Sequence, residues 1–452
     1  MAGTTDELMI SISGVRGHVG GTFTPEVVHK YARAFGETLE PGSDILLGRD
    51  SRPSGPWVVD LAASVLSAMG HRTRVVGLCG TPTLGYAIRA LGAAGGIMAT
   101  ASHNPATWNA LKMFGADGGF VAPAVARRIF ARACAVPRKG TFVEHARTGR
   151  RTDDPALVSH HLKAVLKLLP PRSPKVRFKV VLDTVNGAGC VLVPEYLRRQ
   201  GCRVVEINEE PTGRFAHPPE PLGKNLSGLC RAVQRAGADF GIAVDPDVDR
   251  VAFVDETGRP IGEELSLGIA AAFVLAWKPG PVVVNLSTSR IAEELAFVYG
   301  QRFYRTPVGE AHVAAKMRAV HAAVGGEGNG GVIYPRLHPG RDALCGIAFL
   351  LALMRKRKAR LSAIAGGLPR WHLVRHAASR PRDYEARLEQ LLRRLPAGRV
   401  DRRDGLRIDW PHGWVQMRKS NTEPIVRILA EARNVTRAQE LLQETLRQMR
   451  LT

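Results

Sequence analysis

Apolar positions in this chain follow two periods, and the two alternate. Pro25 to Leu39 spaces its apolar residues as an amphipathic helix does, with Thr24 placed as the cap and a proline at the first helical position. Asp44 to Gly48 predicts a strand, Pro56 to Met69 a helix, Arg74 to Val76 a strand and Pro82 to Leu91 a helix. The apolar run Gly95 to Ala99 predicts another strand, which delivers the chain into Thr100-Ala101-Ser102-His103-Asn104-Pro105. Strands alternating with helices in this way predict a mostly parallel sheet with crossover helices.

Pro170-Pro171-Arg172-Ser173-Pro174 predicts a connector, and the alternation then restarts. Lys179 to Asp183, Arg203 to Ile207 and Asp239 to Val244 predict strands, with a helix over Val191 to Gln200. The last strand ends in Asp245-Pro246-Asp247-Val248-Asp249-Arg250. A third round follows: helices over Glu263 to Trp277, Ile291 to Tyr299 and Glu310 to Val320, strands over Pro281 to Leu286 and Phe303 to Thr306. Ala322 to Gly325 then leads into Gly326-Glu327-Gly328-Asn329-Gly330-Gly331. Three segments of similar size that each end a strand in a distinctive loop are what an internal repeat leaves. After Gly366-Gly367-Leu368-Pro369 the texture changes. Strands over Leu406 to Trp410, Trp414 to Met417 and Ile425 to Leu429 lie between helices over Tyr384 to Leu395 and Arg437 to Met449, an α+β pattern with an antiparallel sheet.

At 452 residues the chain is too long for one core, and two to four domains are expected. A hydrophobic content of 45% with 23% charged residues is that of a globular protein, and no apolar run reaches the length of a bilayer span. Met1 to Glu7 is polar and acidic with no apolar region behind it, so nothing marks export and a cytoplasmic location without a membrane partner is expected. Cys79, Cys134, Cys190, Cys202, Cys230 and Cys345 are scattered, which fits free thiols. The net charge of +22 admits nucleic-acid binding, attraction of small anions, or a solvated arginine-rich surface. The basic residues are spread along the chain, denser at Arg355 to Lys358 and at Arg393-Arg394. No recognition helix, zinc finger or RNA platform accompanies them, so dedicated nucleic-acid binding is not expected.

The loops narrow the chemistry. Ser102 at a strand's carboxyl end can be a nucleophile, a covalent carrier of a phosphoryl group, or a helix cap. Asp245, Asp247 and Asp249 place three carboxylates within five residues, alternate positions of an extended loop that face one side. Unpaired they repel; around a hard cation such as magnesium they converge. Arg418-Lys419-Ser420-Asn421-Thr422-Glu423-Pro424 with Arg427 brings guanidinium groups, hydroxyls and an amide around one turn, a set suited to a phosphate dianion. In the glycine-rich loop, Glu327 and Asn329 are suited to reading sugar hydroxyls; a flexible turn is the other reading.

Taken together and in order, Ser13-Gly14-Val15-Arg16-Gly17, Thr100 to Pro105, Asp245 to Arg250, Gly326 to Gly331 and Arg418 to Pro424 resemble the signature loops of the α-D-phosphohexomutases. The resemblance covers nearly the whole chain. It implies four domains around a central cleft, three of them related α/β units with mixed, mostly parallel sheets and the last an α+β unit. The expected ranges are 1–152, 153–255, 256–368 and 369–452. It implies that Ser102 carries the phosphoryl group and that Ser102, Asp245, Asp247 and Asp249 hold one magnesium ion. Arg16, His103, Lys112 and Arg250 would line the transfer site. Glu327 and Asn329 would contact sugar hydroxyls, and Arg418, Ser420, Asn421, Thr422 and Arg427 the non-reacting phosphate. A hexose 1,6-bisphosphate would serve as intermediate and activator, and the partner expected is a small sugar phosphate, with the chain a monomer or homodimer.

The chain departs from the commonest family pattern in places. Ile12 stands where many members have Thr, and Val248 fills a slot that is often Ala or Gly. The sugar loop has Asn329 and Gly331 in place of the usual Ser and His. With Asn285 to Ser289 and Pro307 to Glu310, that loop is similar to the phosphoglucosamine mutase-like branch, which implies interconversion of glucosamine 6-phosphate and glucosamine 1-phosphate. Mannose or glucose phosphates are the alternative within the same chemistry; a non-catalytic sugar-phosphate sensor or basic scaffold would not need Ser102, the three Asp and Lys112 together.

Overall fold

The computed structural model describes residues 8–135, 141–144, 147–169, 177–395, 397–420 and 425–451. Three of its sheets repeat one wiring. In the first, β1 (Met9–Ser11), β2 (Gly14–His18), β3 (Asp44–Arg49), β4 (Arg72–Leu78), β5 (Gly95–Ala99), β6 (Trp108–Gly115) and β7 (Arg151–Asp153) stand in the order β1-β2-β6-β5-β3-β4-β7. β3 has β4 and β5 as parallel neighbours, and β6 returns antiparallel beyond β5. The second sheet, β8 (Lys179–Asp183), β9 (Arg203–Ile207), β10 (Phe240–Val244) and β11 (Val251–Val254), does the same with β8 at its centre. So does the third, with β12 (Val282–Asn285) flanked by β13 (Phe303–Thr306) and β14 (Val324–Glu327), and β15 (Gly331–Ile333) beyond β14.

The chemistry-bearing loop of each unit therefore occupies one topological place, the turn between the third strand and its antiparallel return. Residues 100–107 join β5 to β6, residues 245–250 join β10 to β11, and residues 328–330 join β14 to β15. The strands before these turns are buried throughout; β5 and β10 carry no polar side chain, β14 ends in the buried Glu327, and all three end where polar side chains can reach a cleft.

The helices that bind the units together are apolar all round. Glu264–Trp277 and Ala343–Arg357 lie in one apolar cluster that continues from Leu46 and Ile88 through Val180 and Phe240 to Phe273 and Phe349. The basic run at Arg355 to Arg357 forms the last turn of the second of these, where cations complement the helix dipole. Arg355 turns inward to donate to the Oε1 of Gln200 at 2.8 Å. Helix Pro25–Gly36 begins as the sequence predicts, but the Thr24 side chain makes no capping bond; the proline's fixed φ sets the first turn.

The fourth sheet is antiparallel: β16 (His372–Ser379), β17 (Arg399–Asp401), β18 (Leu406–Trp410), β19 (Gly413–Lys419) and β20 (Ile425–Ala432), in the order β16-β20-β19-β18-β17. It has its own apolar cluster with helices Tyr384–Arg394 and Val435–Gln448. It docks on the third unit through polar contacts, among them Arg375 to Glu263 at 2.7 Å and Ser287 to Gln416 at 2.7 Å. The predicted connector at 170–174 lies outside the described residues. Among the described residues no helix is long and apolar enough to cross a membrane.

Candidate active site

Ser102 is buried, and its backbone is in the left-handed region at φ 51°. That conformation costs a non-glycine residue about 1–2 kcal/mol, so the surroundings must hold it. They do so through Arg52, a fully buried arginine that the sequence reading passed over. Its Nε donates to Asp50 Oδ2 at 3.0 Å. Nη1 donates to the carbonyls of Pro105 and Trp108, and Nη2 to those of Ser102 and Asn104, at 2.6–3.1 Å. All five N–H groups of the guanidinium are thus engaged. Asp50 also accepts from the Thr100 hydroxyl, which in turn accepts from the Ser102 N–H at 3.0 Å. The loop is rigid because one buried fork organises it. Asp50 and Arg52, just past the end of β3, were the available sequence signal.

The Ser102 hydroxyl donates to Asp245 Oδ2 at 3.1 Å. Asp245, Asp247 and Asp249 are fully buried, and one ligand atom of each lies within 4.8 Å of the others. Asp245 Oδ1 accepts from the N–H groups of Asp249 and Arg250, which fixes the loop. Asp247 Oδ2 accepts from Lys112 Nζ at 2.7 Å and from the Thr81 hydroxyl. That leaves Asp247 Oδ1 and Asp249 Oδ1 buried with no hydrogen-bond partner among the described residues. Burial, and then the charges of Asp249 and Asp247, push Asp245 well above the ordinary carboxylate range. Burial would raise Asp247 too, but the Lys112 ammonium and the hydrogen bonds of Lys112 and Thr81 hold it low. Two orphaned carboxylate oxygens, a third facing a serine hydroxyl and mutual repulsion among the three are what a divalent cation relieves, so the donor set fits a hard metal ion. Val248, in the middle of this loop, is also left-handed at φ 63°, a strained place for a β-branched residue and one where Ala or Gly would sit more easily.

Cations ring the serine. Arg16 Nη1 donates to Asn104 Oδ1 at 2.9 Å. Arg250 donates to His103 Nδ1 at 3.1 Å and to Glu220 Oε1 at 2.9 Å. Loss of solvent, followed by the charges of Arg250, Arg16 and Arg341, pushes His103 well below the usual histidine range. A cavity of about 500 Å³ opens beside this ring, lined by His103, Phe215, His217, Glu220 and Lys224 among others. The three loops touch: the Ser102 hydroxyl reaches Asp245, and Val251 N–H, just past the metal loop, donates to Gly330 O at 3.0 Å.

Glu327 is buried, with Oε1 accepting from Asn285 Nδ2 at 2.7 Å and from the Gly309 N–H at 3.1 Å. Its Oε2 accepts from Arg341 at 2.8 Å, and the same guanidinium reaches Glu310 and Asp249. Arg341 was also not singled out from the sequence; Gly340-Arg341-Asp342 before a long apolar helix was its only trace. Asn329 lies beside Gly331 and its Oδ1 is buried without a partner among the described residues. Arg418 and Arg427 face each other across β19 and β20, two guanidinium groups with no intervening residue in the register. Burial lowers Arg418, and Arg427 lowers it further while Asp404 and Glu327 raise it, which puts this cationic pair within electrostatic reach of the sugar loop. Ser420 is buried next to them; Asn421 and Thr422 lie outside the described residues.

Comparison with known proteins places the whole chain in one family. Residues 9–136, 159–258 and 263–370 match the α/β/α domains I, II and III of phosphoglucomutase/phosphomannomutase, and residues 378–448 match its C-terminal domain. The chain belongs to the phosphoglucomutase/phosphomannomutase family. A probable phosphoglucosamine mutase of Methanopyrus kandleri is 34% identical over 96% of this chain and 95% of its own. A phosphoglucomutase/phosphomannomutase of Thermococcus kodakarensis is 33% identical over 95% and 96%. Among solved structures, a family protein of Burkholderia thailandensis superposes with a TM-score of 0.84 at 26% identity, covering 98% of both chains. The enzyme is therefore a phosphohexomutase, an intramolecular phosphotransferase with four domains of the family's architecture, and its substrate is a sugar phosphate.

Proposed function

We propose that this phosphohexomutase works through phospho-Ser102 and a bisphosphorylated sugar, and that its substrate pair is glucosamine 6-phosphate and glucosamine 1-phosphate. The observation that carries the mechanism is the Ser102 hydroxyl on Asp245, beside two orphaned carboxylate oxygens and inside a ring of four basic side chains. A serine so placed can carry a phosphoryl group that arginine and lysine neutralise.

The sugar's free hydroxyl oxygen bonds to phosphorus as the Ser102 Oγ–P bond breaks. The hydroxyl's proton leaves and Ser102 takes one up, so no proton is consumed. Arg16 and Lys112 stabilise the charge and assist that proton transfer, with His103 and Arg250 lining the transfer site. Ser102, Asp245, Asp247 and Asp249 would hold magnesium, which when bound neutralises the transferring group. Glu327 and Asn329 contact sugar hydroxyls. Arg418, Ser420, Asn421, Thr422 and Arg427 grip the phosphate that is not transferred. The bisphosphate then turns over and returns its other phosphate to Ser102, which makes a hexose 1,6-bisphosphate the activator of dephosphorylated enzyme. In this reading the four working units are 1–152, 153–255, 256–368 and 369–452.

The sugar assignment rests on the loop Gly326 to Gly331 and on the name carried by the Methanopyrus relative. Mannose and glucose phosphates are the second reading, favoured by the name of the Thermococcus relative. Coupled assays on glucosamine 6-, mannose 6- and glucose 6-phosphates test it: the highest kcat/KM is expected on the amino sugar, and a preference for either of the others overturns that assignment. Intact mass before and after phosphatase is expected to show loss of one phosphate, mapped to Ser102.

A further inference from the structure

Gly331 leaves a space in the sugar loop where many family members carry a histidine, and the structure shows what fills it. A Cβ built on Gly331 would lie 2.2 Å from Arg341 Cδ and 3.0 Å from its Cγ. A side chain at position 331 and the Arg341 stem therefore exclude each other. From this position the guanidinium reaches three carboxylates of three chain segments. Nε donates to Glu310 Oε2 at 2.8 Å, Nη1 to Glu327 Oε2 at 2.8 Å, and Nη2 to Asp249 Oδ2. We propose that Arg341 is a positioning residue that braces the sugar loop to the metal loop through the space left by Gly331, fixing Glu327 and Asp249 relative to each other. The inference rests on the mutase reading given above.

The brace decides which oxygens face the ligand sites. Arg341 occupies Asp249 Oδ2 as Lys112 occupies Asp247 Oδ2, and it is the Oδ1 atoms of both residues that stay without a hydrogen bond, Asp249 Oδ1 lying 3.6 Å from Arg250 Nε. Outer partners of this kind orient the ligands of a metal. Glu327 is held on both oxygens, by Arg341 on one and by Asn285 and Gly309 on the other.

Arg341 is itself held by its neighbour. Asp342 caps helix Ala343–Arg357, its Oδ1 accepting from the Leu344 N–H at 2.8 Å. Its Oδ2 lies 3.0 Å from His161 Nε2 and 3.4 Å from His338 Nε2, and the other nitrogen of His161 meets the Thr83 hydroxyl at 3.0 Å. His161, His338 and Asp342 converge as metal ligands do, but His338 Nδ1 accepts from the Gly340 N–H. The proton of a neutral His338 is thereby placed on Nε2, which faces Asp342 Oδ2 at 3.4 Å without a hydrogen bond, so the latch closes through His161 and Nε2 is not free to ligate a metal. The latch ties the start of the helix to the first unit and fixes the backbone from which Arg341 extends.

The test uses Arg341→Ala, Arg341→Lys, Gly331→Ala and the double variant Gly331→Ala/Arg341→Ala. Mn²⁺ affinity is measured by paramagnetic resonance of the free ion, alongside kcat and KM on the hexose phosphate and thermal unfolding as a check on fold. Arg341→Ala is expected to weaken Mn²⁺ binding about tenfold. Its loss of turnover should fall on kcat more than on KM, and Arg341→Lys should recover part of both. Gly331→Ala, which adds one methyl group, should reproduce Arg341→Ala by expelling the stem, and the double variant should be no worse than either single. If Arg341→Ala does not fold, Gly331→Ala carries the same test. Unchanged or tighter Mn²⁺ binding in the variants, or losses that add in the double, overturns the brace. A wild type that binds no Mn²⁺ and turns over no hexose phosphate overturns the mutase reading and the brace with it. A wild type that does both, beside variants that match it, overturns the brace alone.

Discussion

Replacing Arg52 with lysine keeps the buried charge and most of the stem, yet it should disable the enzyme. The guanidinium uses five N–H groups on five acceptors, four of them carbonyls of residues 102–108. An ammonium has three, so at least two acceptors lose their partner in a site with no solvent access. At about 1–3 kcal/mol for each buried group left unsatisfied, the loss is about 2–6 kcal/mol. The strain at Ser102, about 1–2 kcal/mol, no longer has its restraint, and the loop relaxes toward ordinary backbone angles. Ser102 Oγ then leaves its 3.1 Å approach to Asp245. A displacement of about 1 Å at a reacting atom costs about 100-fold in rate. The assay is coupled mutase turnover with saturating bisphosphate, with intact mass to follow phosphate on Ser102 and thermal unfolding to follow stability. kcat should fall about 100-fold with KM little changed, because the hydrogen bonds of Arg52 fall on the serine loop and Asp50, not on the proposed phosphate grip of the fourth unit. An Arg52→Lys enzyme within twofold of wild-type kcat would refute the reasoning.

Other outcomes follow from the same geometry. Ser102→Ala should abolish turnover and phosphatase-sensitive mass while the melting temperature holds, since one loop hydroxyl adds little to packing; wild-type turnover would sink the phosphoserine assignment. Chelation should stop wild-type turnover and added Mg²⁺ restore it, with Asp247→Asn needing more metal because an anionic ligand has become a neutral amide; turnover indifferent to chelator would remove the metal role. Arg427→Ala should cost about 1.5–3 kcal/mol of phosphate binding, lower forward and reverse kcat/KM by the same factor, and raise the bisphosphate needed for activation; unchanged release of trapped bisphosphate would move Arg427 out of the phosphate grip. Burial lowers His338 from its ordinary value, although Asp342 opposes the shift. The unfolded chain therefore takes up that proton first, so the stability His338 contributes is present above about pH 6.5 and is lost as pH falls below it, by at most about 1.4 kcal/mol per pH unit. His338→Gln should flatten the fall of melting temperature below pH 6.5, and parallel curves would show that this histidine does not titrate on unfolding.

The sequence by itself determined the elements and the local clusters of polar side chains they carry. β5 and β10 are covered on both faces, so their residues are apolar without interruption, and a polar loop after such a run marks where the strand leaves the core; β14 is equally buried but already ends in the charged Glu327. Three carboxylates in alternation, a serine after a strand and paired arginines around a turn are local patterns, and each survives translation from chain to structure. Helices buried on every side were harder: Ala343–Arg357 shows no polar face because elements of the second and third units cover it, so its periodicity carries little signal. What only tertiary structure decided is which side chains hold the loops. Arg52 acts on residues some 50 positions away, and Arg341 on Asp249 92 positions away. Neither arginine stands out in the sequence. Their role comes from being desolvated against carboxylates and carbonyls that the fold alone brings within hydrogen-bonding distance, and a buried guanidinium exists only where such partners satisfy it.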